Sequence, residues 1–449
     1  MINKQKIFSV ITLGCKVNSY ESEAIINNLV EHGFIYQEEL NSNCDLVVIN
    51  TCTVTQTSDQ KSRQMINQAR RLTKADNESE EDKTVIIAVG CFVQLNITKA
   101  LELADIVIGT NNKLDVYDKY IEFINSRKKI NAVSDVLTSP CYEEMKVSRM
   151  VTHTRAFIKI QDGCENYCSY CAIPYSRGKI RSRNPINIIN EIKALIDIGI
   201  KEVILAGINT GAYGRDFNNE MTLAKLIDMI LTETNLYRLR ISSIELKEIS
   251  NDFLEVICKH SSRIAHHFHI PMQAGSDTVL KRMNRKYLTN DFIQMVERIR
   301  TLFPDAAITT DCLAGFVGET VDEFNELLAF IDRIKFYEMH IFPYSKRLGT
   351  QACEMEGHLD ERLKKERARY LIEYQKKYTD EFILSRLGNT YEIICEDMKD
   401  GYYHGHTSNY LDIYFSSNKN LLGQIVKVKI LSYNNIIKNN KIIGEIVNE

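Results

Sequence analysis

Three cysteines stand within eight residues, in the run Gly163-Cys164-Glu165-Asn166-Tyr167-Cys168-Ser169-Tyr170-Cys171. Thiolates are the natural ligands of iron–sulfur clusters. Three of them can hold three irons of a cubane and leave the fourth open to a substrate, as in any catalytic metal centre. A zinc knuckle wants a fourth Cys or His nearby, and none follows at a suitable spacing. An apolar run at 156–160 precedes the triplet and reads as a strand. The fold therefore has to set this loop at a strand end.

The chain has twelve cysteines in 449 residues, and their meaning depends on the compartment. No apolar run approaches the ~20 residues that span a bilayer, and the N-terminus lacks the pattern of a secretory signal. The expectation is a cytoplasmic protein, without a membrane contact. Disulfides are rare there, so metal or catalytic cysteines gain weight, although free Cys is also a common small core residue. The length suggests two to four domains. A net charge of −3 carries no general nucleic-acid signature, so any such contact must come from local patches.

The pattern of apolar runs predicts an α/β fold. In the first segment, 7–13, 45–50, 85–89 and 106–108 read as strands, and 21–32, 58–73 and 114–126 as helices. The strands are nearly continuous apolar runs, as when both faces of a parallel sheet are covered. A polar acidic stretch at 74–83 reads as a loop. The pattern breaks at 131–148, taken as a linker between a domain at 1–130 and one at 149–385. Strands at 156–160, 202–206, 238–241, 267–270, 307–313 and 338–341, with helices such as 186–198 and 320–334 between them, predict a partial parallel barrel of six βα units. A long charged helix at 360–386 carries an apolar seam of Leu363, Tyr370, Leu371, Tyr374, Tyr378 and Phe382. Short strands at 391–395, 411–415, 424–430 and 441–447 predict a small all-β barrel over 386–449.

Cys15, Cys52 and Cys91 share a position rather than a motif. Each lies just past the end of a predicted parallel strand, where open α/β sheets bind ligands. They can converge on a second cluster with an open iron, or be small residues suited to tight turns. Cys44, Cys141, Cys258, Cys312, Cys353 and Cys395 lack such placement and read as packing residues. In His266-His267-Phe268-His269, strand alternation puts His267 and His269 on one face, in core or active-site polar roles.

The spacing C-x3-C-x2-C, with Tyr170 beside the last cysteine, resembles the radical S-adenosylmethionine superfamily. The resemblance implies a four-iron cluster on Cys164, Cys168 and Cys171, whose open iron chelates the amino and carboxylate groups of S-adenosylmethionine. It implies cofactor contacts from Tyr170, from Gly207 and Asn209 after the second strand, from Ser242 and Glu245 near the ribose, from Gln273, and from Gly315. Gly315-Phe316-Val317-Gly318-Glu319 departs from the usual G-F-P-G-E at Val317. Thr12-Leu13-Gly14-Cys15-Lys16-Val17-Asn18, Asn50-Thr51-Cys52 and Gly90-Cys91 resemble the N-terminal domain of the methylthiotransferases, and the C-terminal module resembles their RNA-contacting TRAM domain. The similarity is greatest to the MtaB type, through Cys15-Lys16-Val17-Asn18, residues 59–64 and Pro343-Tyr344-Ser345-Lys346-Arg347.

That family implies two four-iron clusters, with Cys15, Cys52 and Cys91 on the second. It implies methylthiolation at C2 of N6-threonylcarbamoyladenosine beside the tRNA anticodon, with a reductant such as flavodoxin or ferredoxin. A MiaB-type isopentenyladenosine enzyme, a RimO-type ribosomal-protein enzyme and a non-enzymatic iron–sulfur redox sensor stand as alternatives. Arg177, Lys179, Arg181 and Arg183, and Lys281, Arg282, Arg285 and Lys286, are candidate phosphate contacts. An ordinary solvated face, or cations meeting the cofactor carboxylate, are the other readings. The segment from Arg386 on has seven basic and seven acidic residues and is not basic overall.

Overall fold

The near-continuous apolar runs of the first segment become adjacent parallel strands. The computed structural model describes residues 5–73, 83–138, 141–147, 154–218, 220–434 and 441–447. The acidic stretch at 74–83 lies outside them except for Lys83, as do Pro140 and the expected boundary at 148–149. Strands β1 (Ile7–Thr12), β2 (Ile35–Tyr36), β3 (Leu46–Thr51), β4 (Val85–Gly90), β5 (Ile106–Ile108) and β6 (Ile130–Ala132) form one sheet in the order β2-β1-β3-β4-β5-β6. All its pairings are parallel. Every residue of β3 and β4 is buried, because helices cover both faces. The helices that matter to the sites are α1 (Lys16–Glu31), α2 (Gln56–Leu72) and α3 (Cys91–Leu95). The short strands β2 and β6 are absent from the sequence expectation, because β2 has only two residues and Asn131 interrupts the apolar run of β6, whereas the equally short β5 is apolar throughout.

The expected linker is packed rather than loose. Its beginning belongs to β6, and Met145 and Val147 are buried against Tyr20 and Ala24 of α1. Tyr20 also donates to the Met145 carbonyl at 2.7 Å.

Strands β7 (Ala156–Asp162), β8 (Arg181–Ser182), β9 (Glu202–Gly207) and β10 (Arg238–Ile241) form a sheet in the order β10-β9-β7-β8, and β11 (His267–His269), β12 (Ala307–Ala314) and β13 (Glu338–Pro343) form another. Parallel bridges Leu239–Ile264 and Ser243–His269 join the two. The result is the partial barrel of six parallel strands, with β8 added antiparallel on the β7 edge. Isoleucines 158 and 160 point outward into the main core, while Lys159 between them points at α1. The N-terminal sheet thus packs on the concave side of the barrel, through α1 against β7 and β9.

Strands β14 (Thr390–Lys399), β15 (Tyr402–His406), β16 (Asp412–Phe415), β17 (Ile425–Asn434) and β18 (Lys441–Ile446) close into a barrel in the order β14-β15-β16-β18-β17. The sequence suggests four of these strands. The fifth, β15, reads Tyr-Tyr-His-Gly-His, and only Tyr403 and Gly405 face inward, too few apolar positions to signal a strand. This module docks on the central barrel through Arg238 and Arg240, which pair with Glu202 and donate to the carbonyls of Glu392, His406, Thr407 and Ser408. Tyr410 stacks on His267 at 4.3 Å.

The long helix Glu361–Leu384 forms, but its buried face differs from the expected seam. Leu371 and Tyr378 are buried, whereas Leu363 and Tyr370 are exposed and Lys364 and Arg367 are buried instead. Their charged heads pair with Glu361 and Glu319, so aliphatic stems fill positions where the sequence pattern looks for apolar residues.

Candidate active site: two cysteine sets at strand ends

The first cysteine set follows β7. Gly163 makes the turn at φ +74°, and a side chain there would collide with the Lys179 carbonyl; its N–H donates to Asp162 at 2.8 Å. Cys164 N–H donates to the Gly178 carbonyl at 3.0 Å, and Cys171 N–H to the Cys168 carbonyl at 2.9 Å. Ser169 fixes the loop to the next segments, donating to the carbonyls of Met283 and Arg282 and accepting from Ala352 N–H. Burial pushes the Cys164 thiol up to about 11, and burial together with Cys168 pushes Cys171 up to about 12. Such thiols stay protonated until a metal takes them as thiolates. Arg285 donates to the Cys168 sulfur at 3.4 Å while holding Glu245 with both ends of its guanidinium.

The groups expected around a cofactor gather on the same rim, at the C-terminal ends of the strands. Gly207 ends β9, and Asn209 N–H donates to Gln161 at 2.8 Å. The side chain of Asn209 is buried, with its amide nitrogen toward the Glu248 carboxyl and its oxygen without a hydrogen-bond partner among the described residues. Buried polar atoms are ordinarily satisfied, so the unpartnered amide oxygen fits a polar group supplied by a ligand. Ser242 lies 3.4 Å from the Thr210 hydroxyl. Gln273 adopts φ +65°, uncommon for a residue with a side chain, and is held by bonds to the Asp311 carbonyl and from Leu313 N–H. Gly315 N–H donates to Glu319 at 3.1 Å, and Tyr170 meets Phe316 edge-on at 6.3 Å. A cleft of about 170 Å³ opens beside Cys168, lined by Glu245, Arg285 and Tyr287 among others.

The second set is assembled from three neighbouring strands. Cys15 precedes α1 after β1, Cys52 follows β3, and Cys91 opens α3 directly after β4. Because β1, β3 and β4 are adjacent in the sheet, their three ends share one rim. Gly14, at φ +102°, lets the chain pass Cys52, since a Cβ there would sit 2.7 Å from the Cys52 sulfur. Asn18 ties the rim together, donating to the carbonyls of Leu13 at 2.7 Å and Thr51 at 3.1 Å. Burial pushes the Cys52 thiol up to about 11. Cys52 and Cys91 are buried, while Cys15 is exposed and lines, with Cys52, a cavity of about 610 Å³ closed on the far side by Phe342, Pro343, Tyr344 and Ser345 of the barrel. Arg347 fastens this wall through an ion pair to Asp59 of α2 at 2.8 Å. The motif segments 59–64 and 343–347, far apart in sequence, therefore meet at one site. Among the described residues no three His, Cys, Asp or Glu groups converge on a single metal ion, so neither set has the close spacing of a mononuclear zinc site.

Two family models match separate parts of the chain. Residues 158–331 match the radical SAM superfamily, and residues 7–109 match uncharacterized protein family UPF0004. The threonylcarbamoyladenosine tRNA methylthiotransferase MtaB of Bacillus subtilis (strain 168) is 40% identical over 94% of this chain and 92% of its own. The chain belongs to the radical S-adenosylmethionine methylthiotransferases. A tRNA-2-methylthio-N(6)-dimethylallyladenosine synthase of Thermoanaerobacter pseudethanolicus is 34% identical over 95% of this chain and 90% of its own. Among solved structures, the radical S-adenosylmethionine methyltransferase TsrM of Kitasatospora setae, with cobalamin and a [4Fe-4S] cluster bound, is 13% identical, covers 78% of this chain and 74% of its own, and superposes with TM-score 0.54. That likeness concerns the fold alone. The cofactors of this enzyme family are two four-iron clusters and S-adenosylmethionine.

The cations expected to meet phosphate need correction. Arg177, Arg181 and Arg183 are buried. Arg177 and Arg181 point at Asp162, and Arg183 pairs with Glu144 and Glu191. Arg282 forks onto Glu323 at 2.7 and 2.8 Å, and Arg285 is held by Glu245. Lys179, Lys281 and Lys286 are exposed. A run of basic residues shows charge in a sequence but not the acidic partners that the fold brings to it. Of the cysteines read as packing, Cys44, Cys312 and Cys395 are buried and Cys258 and Cys353 half-buried, but Cys141 is exposed. His267 and His269 do share a face, both bonding the Thr309 hydroxyl, at 2.8 and 2.9 Å. The partners that sequence reasoning missed are acidic, Glu21 and Asp162; they stand among other polar residues of α1 and β7, so nothing in the sequence singles them out.

Proposed function

We propose that this enzyme places a methylthio group on C2 of N6-threonylcarbamoyladenosine in tRNA. The carrying observation is the 40% identity to the Bacillus subtilis enzyme over nearly the whole of both chains. Cys164, Cys168 and Cys171 hold the cluster that engages S-adenosylmethionine, and Cys15, Cys52 and Cys91 hold the second. When bound, these groups supply the reactive abstractor and the sulfur that an unactivated C–H bond requires. The chain's part is to position and enclose. Asn209 and Gly207 receive the amino end of the cofactor, Ser242 and Glu245 its ribose, and Tyr170, Gln273 and Gly315 line the remainder. The cavity between Cys15, Cys52, Phe342 and Tyr344, at about 610 Å³, lies within the range of small-molecule sites and suits a nucleoside turned out of its strand.

Three modules carry these tasks, 1–130, 149–385 and 386–449, the last as an RNA-contacting TRAM-like barrel. Lys179, Lys281 and Lys286 are the exposed cations left for phosphates, because Arg177, Arg181, Arg183, Arg282 and Arg285 are taken up by carboxylates of the chain. A flavodoxin or ferredoxin supplies the electron in the cytoplasm. Among the described residues no helix is long and apolar enough to cross a membrane.

Nucleoside analysis of tRNA from a strain lacking the gene tests the substrate. Accumulation of N6-threonylcarbamoyladenosine without its 2-methylthio form is the expected result. Loss of the methylthio group from dimethylallyladenosine instead would transfer the assignment to the activity for which the Thermoanaerobacter relative is named.

A further inference from the structure

Four buried cations surround two carboxylates where the N-terminal sheet meets the barrel. Glu21 of α1 receives Lys113, Lys159 at 2.7 Å and Arg177 at 2.6 Å. Asp162 receives Lys159 at 2.6 Å and Arg177 at 3.2 Å, with Arg181 at 3.6 Å. None of the six side chains is more than 4% exposed. A third carboxyl nearby, Glu143, accepts from Leu114 N–H, and burial pushes it toward its neutral form. Burial likewise pushes the Lys113 amine toward its neutral form, so Lys159, Arg177 and Arg181 face the carboxylates of Glu21 and Asp162, an excess of positive charge that is costly in a buried site without a further anion.

One donor shows where that anion belongs. Arg177 spends its Nη1 and Nη2 on Glu21, Asp162 and the Asn18 side chain, the last at 2.7 Å. Its Nε donates to the sulfur of Cys91 at 3.2 Å. Arg177 ends the short helix Ile173–Arg177, which continues directly from the first cysteine loop. A barrel residue thus reaches across the interface to a cysteine of the other set.

We infer that Arg177 is a positioning residue for the second cluster. Its guanidinium donates to the Cys91 thiolate and, with its cationic neighbours, counters the negative charge of the cluster, so that the barrel sets the reduction potential of a cluster seated on the N-terminal sheet. Hydrogen bonds to ligating sulfur and nearby positive charge favour the reduced, more negative state. The inference rests on the proposed assignment of Cys15, Cys52 and Cys91 to that cluster.

The test uses the full chain carrying Cys164→Ala, Cys168→Ala and Cys171→Ala, reconstituted anaerobically so that only the second cluster forms. Failure of this protein to hold about four irons would sink the assignment itself. With the cluster present, the midpoint potential is read by spectroscopic titration. Arg177→Lys, which keeps the charge but removes the Nε donor, is expected to shift it negative, and Arg177→Gln further. Arg183→Gln removes an equally buried arginine whose partners among the described residues include no cysteine; it should lower stability and leave the potential in place. Unchanged potentials in both Arg177 variants, or an equal shift in Arg183→Gln, would overturn the inference. If the Arg177 variants do not fold, the parent protein labelled with ¹⁵N-arginine decides. Its reduced cluster should show a coupled guanidinium nitrogen by electron–nuclear double resonance, and the absence of that coupling overturns the inference equally.

Discussion

The two cysteine sites reach similar ends by opposite routes. At one, three thiols lie within eight residues, and a single loop pinned by Gly163 and Ser169 presents them. At the other, the thiols are tens of residues apart and meet only because β1, β3 and β4 are neighbours in register. Both then acquire an arginine that donates to one cysteine sulfur while holding a glutamate, Arg285 on Cys168 and Glu245, Arg177 on Cys91 and Glu21. The local site depends on a loop. The assembled site depends on the sheet and on the barrel docked against it, because its arginine comes from the barrel.

The largest expected effect separates the two sites by chemistry. Replacing Cys164, Cys168 and Cys171 with alanine should abolish release of 5′-deoxyadenosine under anaerobic reduction. Replacing Cys15, Cys52 and Cys91 should preserve that release and abolish methylthiolated product. Each triple variant should fall from about eight irons to about four. A wild type that never exceeds four would remove the second cluster and the comparison with it.

A smaller perturbation should expose the difference in construction. Gly14→Ala places a Cβ 2.7 Å from the Cys52 sulfur at φ +102°, a conformation that costs an alanine on the order of 1–3 kcal/mol. The auxiliary iron should be lost or halved, with the radical site's iron and its 5′-deoxyadenosine release retained. Equal loss at both sites would mean that the rims are not independent. Next in size is Arg285→Lys. A lysine cannot fork onto Glu245 and reach Cys168 together, and losing such an outer contact costs about 10- to 100-fold in 5′-deoxyadenosine release, with total iron unchanged.

The local site was legible in the sequence because its information is local. Spacing alone marked Cys164, Cys168 and Cys171, and the apolar runs gave the parallel strands and hence the shared rim of Cys15, Cys52 and Cys91. What stayed hidden was pairing. Arg177, Arg181 and Arg183 read as a basic patch, and nothing in a run of cations tells that Glu21, more than a hundred residues earlier, will neutralise one of them. The same limit hid β15, whose outward residues dominate its composition, and the buried lysine and arginine of the long helix. Amphipathic periodicity records which residues are apolar, not which charged side chains bury their stems.

The smallest expected effect on either site is also the control. Glu202 opens β9, at the opposite end of that strand from Gly207, and holds the C-terminal module through Arg238 and Arg240. Burial alone would raise its carboxyl, but Arg240 first, and then Arg238 and Arg155, overcome this and hold it at about 2 against an ordinary 4.5. A pKa lowered on folding contributes stability that is complete above 4.5 and lost as pH falls toward 2, here about 3 kcal/mol. Glu202→Gln should therefore be less stable than wild type by about that amount in urea unfolding at pH 5 and above, with the gap narrowing below pH 4.5; both proteins would carry alanine at the six cluster cysteines so that acid-labile metal does not intrude. In the cluster-bearing chain at neutral pH, the same substitution should leave about eight irons and normal 5′-deoxyadenosine release. A selective loss of auxiliary iron in Glu202→Gln would show that the assembled site depends on the whole molecule rather than on the sheet and the one barrel face that carries Arg177.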